Sequence, residues 1–394
     1  TFINYTSIFF MSIDITMSEI RQEYLNKIKR VVIKIGSKAL SNGGSSISKK
    51  VLLNLVGSVC NLRKKGVEVI LITSGAIVAG NKIFKINLKN LNIVKKQVLS
   101  SVGQINLMSM YSEIFKTKGY KVSQLLLTND IFQDRKRFLN VKTTLLELLK
   151  MGIIPIVNEN DTVSIDEIMF GDNDILASKV SSMISADSLI LLTDTDGLFD
   201  QNPKDNTSAK LIATISEDKF DRRVLRDSKK NISFGGMTSK IDAALNVSKY
   251  GIPTIIANGM KAKIIDKIFK YENVGTMIIP NIRTVKSRKQ WIGMGLKTAG
   301  KLLLDDGAID AIISKGKSLL PSGIQSIEGR FAKGQQVECV STSTGKSIAR
   351  GLTSYSSDEL EKIRGKKSNQ IISILGYKYS DEVINRDNMI VEKN

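Results

Sequence analysis

VVIKIGS, residues 31–37, is a β-branched run that is interrupted by one lysine and ends in a glycine and a serine. A short apolar run of this kind predicts a buried strand over 31–35. Comparable runs recur along the chain. They predict further strands at 67–73 (VEVILIT), 153–157 (IIPIV), 188–193 (SLILLT) and 254–257 (TIIA).

Helical patterns separate these strands, at residues 48–65, 93–118, 135–150, 174–186 and 237–250. Alternation of strands and helices predicts parallel strands with right-handed crossovers. Strands that are apolar throughout predict helices on both faces of the sheet. The predicted fold class is therefore α/β, with an open, mostly parallel sheet sandwiched by helices.

The chain has 394 residues, enough for two domains. Glycines recur at short intervals after residue 290 and predict a small β-rich domain. We predict a disordered leader at 1–27, a larger domain at 28–281, a linker at 282–290 and the second domain at 291–390. Residues 1–16 lack the basic region and the cleavage site of a secretory signal.

Composition excludes several classes of protein. With no histidine, the chain cannot use Ser-His-Asp or Cys-His catalysis or a histidine-ligated metal. The two cysteines exclude a disulfide framework and fit a reducing cytoplasm, and no apolar run is long enough to span a membrane. The net charge of +20 is compatible with two interpretations, compositional drift and a basic surface for nucleic acid.

Polar residues follow four of the predicted strands. They are Gly36-Ser37, Ser74-Gly75, the NEND sequence at 158–161 and the DTDG sequence at 194–197. Ligands of open α/β sheets bind beyond the carboxyl ends of the strands. Four such ends in one domain therefore predict a site at this edge of the sheet.

Each motif taken singly has a structural alternative. Lys34 requires an anion if its strand is buried, or it is solvated at a sheet edge. Ser74 binds a ligand or only caps a helix. The GDND sequence at 171–174 suits a zwitterion together with the NEND loop at 158–161, or its acidic residues only complement a helix dipole. The GGMTSK sequence at 235–240 predicts a Gly-Gly loop that leads into a helix with Lys240 in its first turn, which suits an anion.

Six motifs together resemble the glutamate 5-kinases of the amino-acid kinase superfamily. They are VVIKIGS at 31–37, ITSGAI at 72–77, IPIVNENDTV at 154–163, FGDND at 170–174, LLTDTDGLF at 191–199 and GGMTSK at 235–240. The resemblance implies two catalytic lysines, Lys34 and Lys240, that Asp174 holds in place. It implies that L-glutamate is bound by Ser74, Asp161 and Asn173. It implies an ATP site formed by Lys34, Thr193, Asp194, Phe234, Gly235, Gly236, Met237, Thr238, Ser239 and Lys240.

The same resemblance implies an activity. Glutamate's side-chain carboxylate receives the γ-phosphoryl group of ATP with the help of Mg²⁺, in the first step of proline biosynthesis, and no general base is needed. Inhibition by proline and a homo-oligomer (dimer or tetramer) are further expectations. Two residues depart from the family pattern. Lys38 adds a cation near the phosphate loop, and Phe234 replaces a threonine, so that only backbone contacts to ATP are expected there.

The C-terminal region resembles the PUA domain, whose members elsewhere bind RNA. The resembling stretches include SLLPSGIQSIEGRFAKGQQVECV and ILGYKYSDEVINRDNMI. A structural or regulatory role is equally compatible with that resemblance. Two other functions remain open at this point: a kinase that acts on aspartate, N-acetylglutamate, carbamate or UMP, and an RNA-binding protein with a vestigial kinase fold.

Overall fold

A computed structural model describes residues 17–392 except for 87–90, 133, 165–172, 202, 204, 205, 207, 217–234 and 281–297. The predicted linker and residues 1–16 of the predicted leader lie outside the described residues. The described residues fall into two compact units, one within Thr1–Asn129 and Lys142–Asn281 and one within Asp130–Val141 and Ile282–Asn394. Asp130–Val141 belongs to the second unit, although it precedes residue 281 in the chain.

The first unit alternates helices and strands, and α6 has its first residues in the second unit. In chain order the elements are α1 (Met17–Leu25), β1 (Arg30–Ile35), α2 (Ser37–Leu40), α3 (Lys49–Lys64), β2 (Glu68–Thr73), α4 (Ala76–Phe84), α5 (Ile93–Thr117), β3 (Val122–Leu127), α6 (Arg135–Lys150), β4 (Ile154–Glu159), α7 (Asn173–Met183), β5 (Ser188–Thr193), β6 (Thr214–Ser216), α8 (Gly235–Ser248), β7 (Thr254–Asn258), α9 (Ile264–Ile268) and β8 (Thr276–Ile279).

The described strands of this unit form one sheet in the order β3-β4-β2-β1-β5-β7-β8-β6. The pairs from β3 through to β7 are parallel. β8 is antiparallel to β7, and β6 pairs in parallel with β8. The prediction of an open, mostly parallel sheet is confirmed, with the five predicted strands present as β1, β2, β4, β5 and β7.

Helices cover both faces of the sheet. Val31, Ile33 and Ile35 of β1 belong to a buried apolar cluster that also contains residues of α3, α5 and α9. Because successive strand residues point to opposite faces, Lys34 points to the other face. There α7 contacts β1, β2, β4 and β5. The sequence thus buries a lysine beneath a helix instead of exposing it at a sheet edge.

α1 corrects the prediction of a disordered leader for residues 17–25. Arg21 is 0% exposed, and its guanidinium donates to main-chain carbonyl oxygens that border β6 and β8. These are the carbonyls of Ala213 (3.3 Å), Glu272 (3.1 Å), Val274 (2.8 Å) and Gly275 (3.2 Å). A short helix with weak periodicity gives little signal in sequence. Its anchor is a set of hydrogen bonds to residues 192 to 254 positions away.

We expect Arg21→Met to destabilise the first unit. Hydrogen bonds to a charged group contribute about 1.5–3 kcal/mol each and are not additive, so a loss of roughly 3 kcal/mol is expected. Thermal unfolding followed by circular dichroism measures it. Lys27→Met, an exposed lysine just beyond α1, is the matched control. Equal melting temperatures for the two variants would show that α1 does not contribute to the fold.

The second unit contains a small sheet in the order β10-β9-β11-β12-β13. Its elements are β9 (Gly300–Leu304), α10 (Asp306–Ile313), β10 (Ile324–Glu328), β11 (Gln336–Ser341), β12 (Ser347–Leu352), α11 (Ser357–Ile363), α12 (Ile371–Leu375) and β13 (Met389–Val391). They enclose a separate apolar cluster. The predicted β-rich second domain is present over the described residues. Among these residues, no helix of either unit has the length and apolarity needed to cross a membrane.

Candidate active site

A buried ion cluster lies at the carboxyl end of β1. The Asp174 carboxylate, in the first turn of α7, is 2.7 Å from Lys34 Nζ through Oδ1 and 3.1 Å from Lys240 Nζ through Oδ2. Ser239 Oγ donates to the same Oδ2 at 3.0 Å. Lys34 is 4% exposed, Asp174 1% and Lys240 9%. Three charged side chains at this depth require one another, because an isolated buried charge is strongly unfavourable.

The electrostatics of the cluster follow from its geometry. Burial raises the pKa of Asp174, but Lys34 and Lys240 outweigh it and hold this pKa below its ordinary value. Burial lowers the pKa of Lys240, Asp174 raises it and Lys34 lowers it again, so that this pKa lies below its ordinary value. With one carboxylate between two ammonium groups, the cluster carries a net positive charge. It therefore suits an anion such as a transferring phosphoryl group.

The main chain beside Lys34 is open enough for a ligand to approach. A Cβ added to Gly36 would lie 3.7 Å from Lys34 Nζ, so the glycine keeps the space beside the ammonium free of a side chain. α2 begins directly after Gly36. Lys38 lies within α2 and is exposed.

The start of α8 differs from the prediction. The helix begins at Gly235, so Gly235, Gly236, Met237, Thr238 and Ser239 are helical, and Lys240 lies in the second turn. The sequence pattern predicts Lys240 in the first turn, after a Gly-Gly loop. Glycines are poor helix formers, so the pattern marked a loop where the helix already runs. Phe234, Gly171 and Asp172 lie outside the described residues.

The ends of β5 and β7 lie beside this cluster. Thr193 is buried, and its Oγ1 donates to Asp194 Oδ1 at 3.0 Å. Asp194 is exposed and close enough to raise the pKa of Lys240. The sequence did not indicate that Asp196 connects these two strand ends. It accepts hydrogen bonds from Asn258 Nδ2 at 2.9 Å and Lys261 Nζ at 2.8 Å, joining the two strand ends.

A second buried group, the amide network, begins at the neighbouring residue Asn173. Its Nδ2 lies 2.9 Å from Ser74 Oγ, 2.9 Å from Asn158 Oδ1 and 3.1 Å from the carbonyl oxygen of Thr73. These contacts join the ends of β2 and β4 to the first turn of α7. Because Asn173 and Asp174 are consecutive, one helix start reaches both the network and the ion cluster.

Asp161 lies in the loop after β4, two residues beyond the end of that strand. It is 5% exposed, and its Oδ2 accepts a hydrogen bond from Ser100 Oγ. Its Oδ1 is buried and has no hydrogen-bond partner among the described residues. Burial raises the pKa of this carboxyl, and the Ser100 bond opposes that rise. An ionised carboxylate with one unused oxygen suits a cationic ligand group.

Sequence reasoning missed the contribution of α5. Gln97 Nε2 donates to the main-chain oxygen of Asp161 at 2.9 Å, and Gln104 Oε1 accepts from Asn158 Nδ2 at 2.9 Å. Together with Ser100, these residues occupy one face of the helix. Their spacing of three and four residues is the sequence feature that could have indicated this role, because it places three polar side chains on one face of a helix that also contains many apolar residues.

The structure thus brings several of the predicted residues into two adjacent groups at the carboxyl edge of the sheet. One contains Lys34, Asp174, Lys240 and Ser239, with Thr193 and Asp194 nearby. The other contains Ser74, Asn173 and Asp161, with Asn158. A cationic cluster for phosphate beside an amide and carboxylate site for a zwitterion can align two substrates for group transfer.

Several known kinases are similar to this chain. Residues 29–258 match the Amino acid kinase family and residues 300–375 match the PUA domain. The glutamate 5-kinase of Geobacter sulfurreducens is 42% identical over 372 residues, which cover 94% of this chain and 100% of that protein. That of Caldanaerobacter subterraneus subsp. tengcongensis is 44% identical over 363 residues, 92% and 97% of the two chains. A solved UMP kinase from Bacillus anthracis aligns at 18% identity with a TM-score of 0.45, covering 64% of this chain and 97% of that one.

Proposed function

The chain belongs to the amino acid kinase family and is similar to its glutamate 5-kinases over nearly its whole length, and from this premise we propose how its residues carry out the reaction. The activity is ATP-dependent phosphorylation of the side-chain carboxylate of L-glutamate, a step of proline biosynthesis. The observation that carries the proposal is the buried Lys34–Asp174–Lys240 cluster beside the amide network.

Lys34 and Lys240 are proposed to contact the transferring phosphoryl group. Phosphoryl transfer depends mainly on alignment and on charge stabilisation. The two ammonium groups share one carboxylate, so their positions are fixed before substrates bind and little reorganisation is needed. The attacking carboxylate of glutamate is ionised at neutral pH and needs no general base. The reaction is therefore compatible with a chain that has no histidine.

The nucleotide is proposed to lie against the first turns of α8, whose glycines leave the backbone accessible. Among the described residues, no group of three or more acidic or cysteine side chains could hold a metal ion by itself. Mg²⁺ usually binds through substrate phosphates and one or two carboxylates. The exposed carboxylate of Asp194 would hold the ion here. When bound, Mg²⁺ supplies charge neutralisation of the phosphates.

Glutamate is proposed to bind in the amide network. Asp161 Oδ1, which has no partner among the described residues, would accept a hydrogen bond from the α-ammonium group of glutamate. The polar groups of Ser74 and Asn173 would bind a carboxylate of the substrate. Because these residues are buried, each hydrogen bond contributes to substrate selectivity. A substrate that lacks the matching group would leave a buried polar atom of the protein unpaired.

The activity is tested with purified protein, ATP and Mg²⁺ and a panel of acceptors, with acyl phosphates trapped as hydroxamates. Glutamate, aspartate and N-acetylglutamate are compared directly, and carbamate and UMP are followed by ADP release. We expect turnover with glutamate and at least about 100-fold lower kcat/KM with each of the others. Faster turnover of another acceptor would overturn the proposal.

Four further expectations remain proposals: inhibition by proline, assembly as a homo-oligomer (dimer or tetramer), a cytoplasmic location and RNA binding by the second unit. Cys60 and Cys339 are free thiols, the state expected in a reducing compartment. Retention of both lysines with their shared carboxylate argues against a vestigial kinase. RNA binding by the second unit is therefore proposed only as a second activity beside the kinase reaction, and its salt dependence tests it.

A further inference from the structure

Two glycines allow α5 to pack closely against α4, next to the acceptor site, by which we mean the proposed glutamate-binding residues Ser74, Asn173 and Asp161. A Cβ added to Gly103 would lie 1.8 Å from the carbonyl oxygen of Ala76, and one added to Gly80 would lie 2.0 Å from that of Leu99. Only glycine fits at either position without a backbone shift. Because α4 begins directly after Gly75, this contact fixes α5 relative to Ser74. A side chain on α5 that points to the acceptor site is therefore held in place.

Ser100 is such a side chain. It is 4% exposed, one turn after Gln97 and one residue beyond Leu99. Its hydroxyl donates to Oδ2 of Asp161, while Gln97 holds the main chain of the same residue. Both the backbone and the carboxylate of Asp161 are thus oriented by α5. The remaining oxygen, Oδ1, is buried without a partner among the described residues.

Ser100 is the donor that supports the Asp161 carboxylate. Lys96, one turn earlier on α5, makes no ion pair with Asp161, and no other Lys or Arg of the described chain does. The nearest carboxylate in sequence, Glu159, accepts from Ser164 Oγ at 2.7 Å. A buried carboxylate without a cationic partner depends on hydrogen bonds to remain ionised.

We infer that Ser100 is a positioning residue of the acceptor site, whose hydroxyl keeps the Asp161 carboxylate oriented so that Oδ1 meets the α-ammonium group of the amino-acid substrate. The inference rests on the proposed function. It assigns a role in acceptor affinity to a helix that carries none of the six motifs. Ser100 touches neither Lys34 nor Lys240, so it acts on binding and leaves the phosphoryl-transfer cluster unchanged.

Loss of the Ser100 hydroxyl has two expected effects. A hydrogen bond to a charged group is removed, so KM for glutamate at pH 7 rises by about 10-fold while kcat changes by less than about 2-fold. Burial raises the pKa of Asp161 and Ser100 opposes it, so without Ser100 this pKa rises further. The acid limb of kcat/KM then moves to higher pH, because Asp161 becomes protonated sooner as the pH falls.

The test compares Ser100→Ala with the control Ser101→Ala. In the unaltered protein, the Ser101 hydroxyl donates to the carbonyl of Val98 on the exposed side of the same helix. Glutamate kinetics are measured from acid to neutral pH, and protonation of the substrate affects both variants equally. Ser100→Cys, which nearly conserves volume and is a weaker donor, should change KM and the acid limb in the same direction by less. It decides the test if the alanine variant does not fold.

The inference would be overturned if the folded Ser100 variants had the same KM for glutamate and the same acid limb of kcat/KM as Ser101→Ala. A loss confined to kcat would also overturn it, since that would place Ser100 with the phosphoryl-transfer groups. Absence of glutamate phosphorylation by the unaltered enzyme would count against the proposed function instead. The two failures are therefore distinguishable.

Discussion

Lys240→Met is expected to lower kcat by about 10²–10³ with little change in KM for glutamate. Lys240 is buried and its Nζ lies 3.1 Å from a carboxylate that it shares with Lys34. On the proposed mechanism its charge acts on the phosphoryl group as negative charge develops there. Loss of one such contact costs about 3–4 kcal/mol of transition-state stabilisation, whereas ground-state binding of glutamate relies on the amide network.

Methionine has nearly the length and the apolar stem of lysine, so the packing around α8 should be retained. Steady-state kinetics give kcat and KM, and circular dichroism verifies folding. Lys249→Met, at an exposed lysine just after the same helix, is the matched control and should behave as the unaltered enzyme does. A folded Lys240→Met protein whose kcat falls less than about threefold would remove Lys240 from catalysis.

The sheet was predictable because its strands are locally distinctive. β1, β2, β4, β5 and β7 each have a run of apolar residues and are almost completely buried, as expected for strands that are covered on both faces. β3 was missed because its residues are mostly half-buried and its sequence mixes Ser and Gln with leucines. β6 and β8 are short, three and four residues, and short strands carry little periodic signal.

Parts of the candidate site were predictable where a polar side chain lies at or next to the end of a strand, as at Lys34, Ser74 and Thr193. The site was not predictable where a group comes from a distant element. Ser100 lies within α5, and only the packing of Gly103 on α4 brings its hydroxyl to Asp161. Arg21 likewise reaches carbonyls far along the chain. Neither a serine nor an arginine within a helix indicates from its local sequence that its side chain contacts a distant segment.

Asp174→Asn is expected to damage both stability and turnover. In the unaltered protein, one carboxylate offsets two buried ammonium groups at 2.7 and 3.1 Å. An amide leaves those charges uncompensated, and removal of one partner from a buried ion pair typically costs 3–5 kcal/mol, so we expect about 3–5 kcal/mol of lost unfolding free energy. The lysines would also move apart, so we expect kcat to fall by on the order of 10² or more.

The pH profile of the Asp174→Asn enzyme tests whether its lower kcat arises from a change in the pKa of Lys240. Burial and Lys34 lower the pKa of Lys240, and Asp174 raises it. Without Asp174 this pKa falls further, so Lys240 loses its proton at lower pH, and the alkaline limb of kcat should move to lower pH than in the unaltered enzyme. Asp242→Asn, a half-buried carboxylate on α8 outside the cluster, is the control. An unchanged alkaline limb in a folded Asp174→Asn enzyme would show that Asp174 does not keep Lys240 protonated.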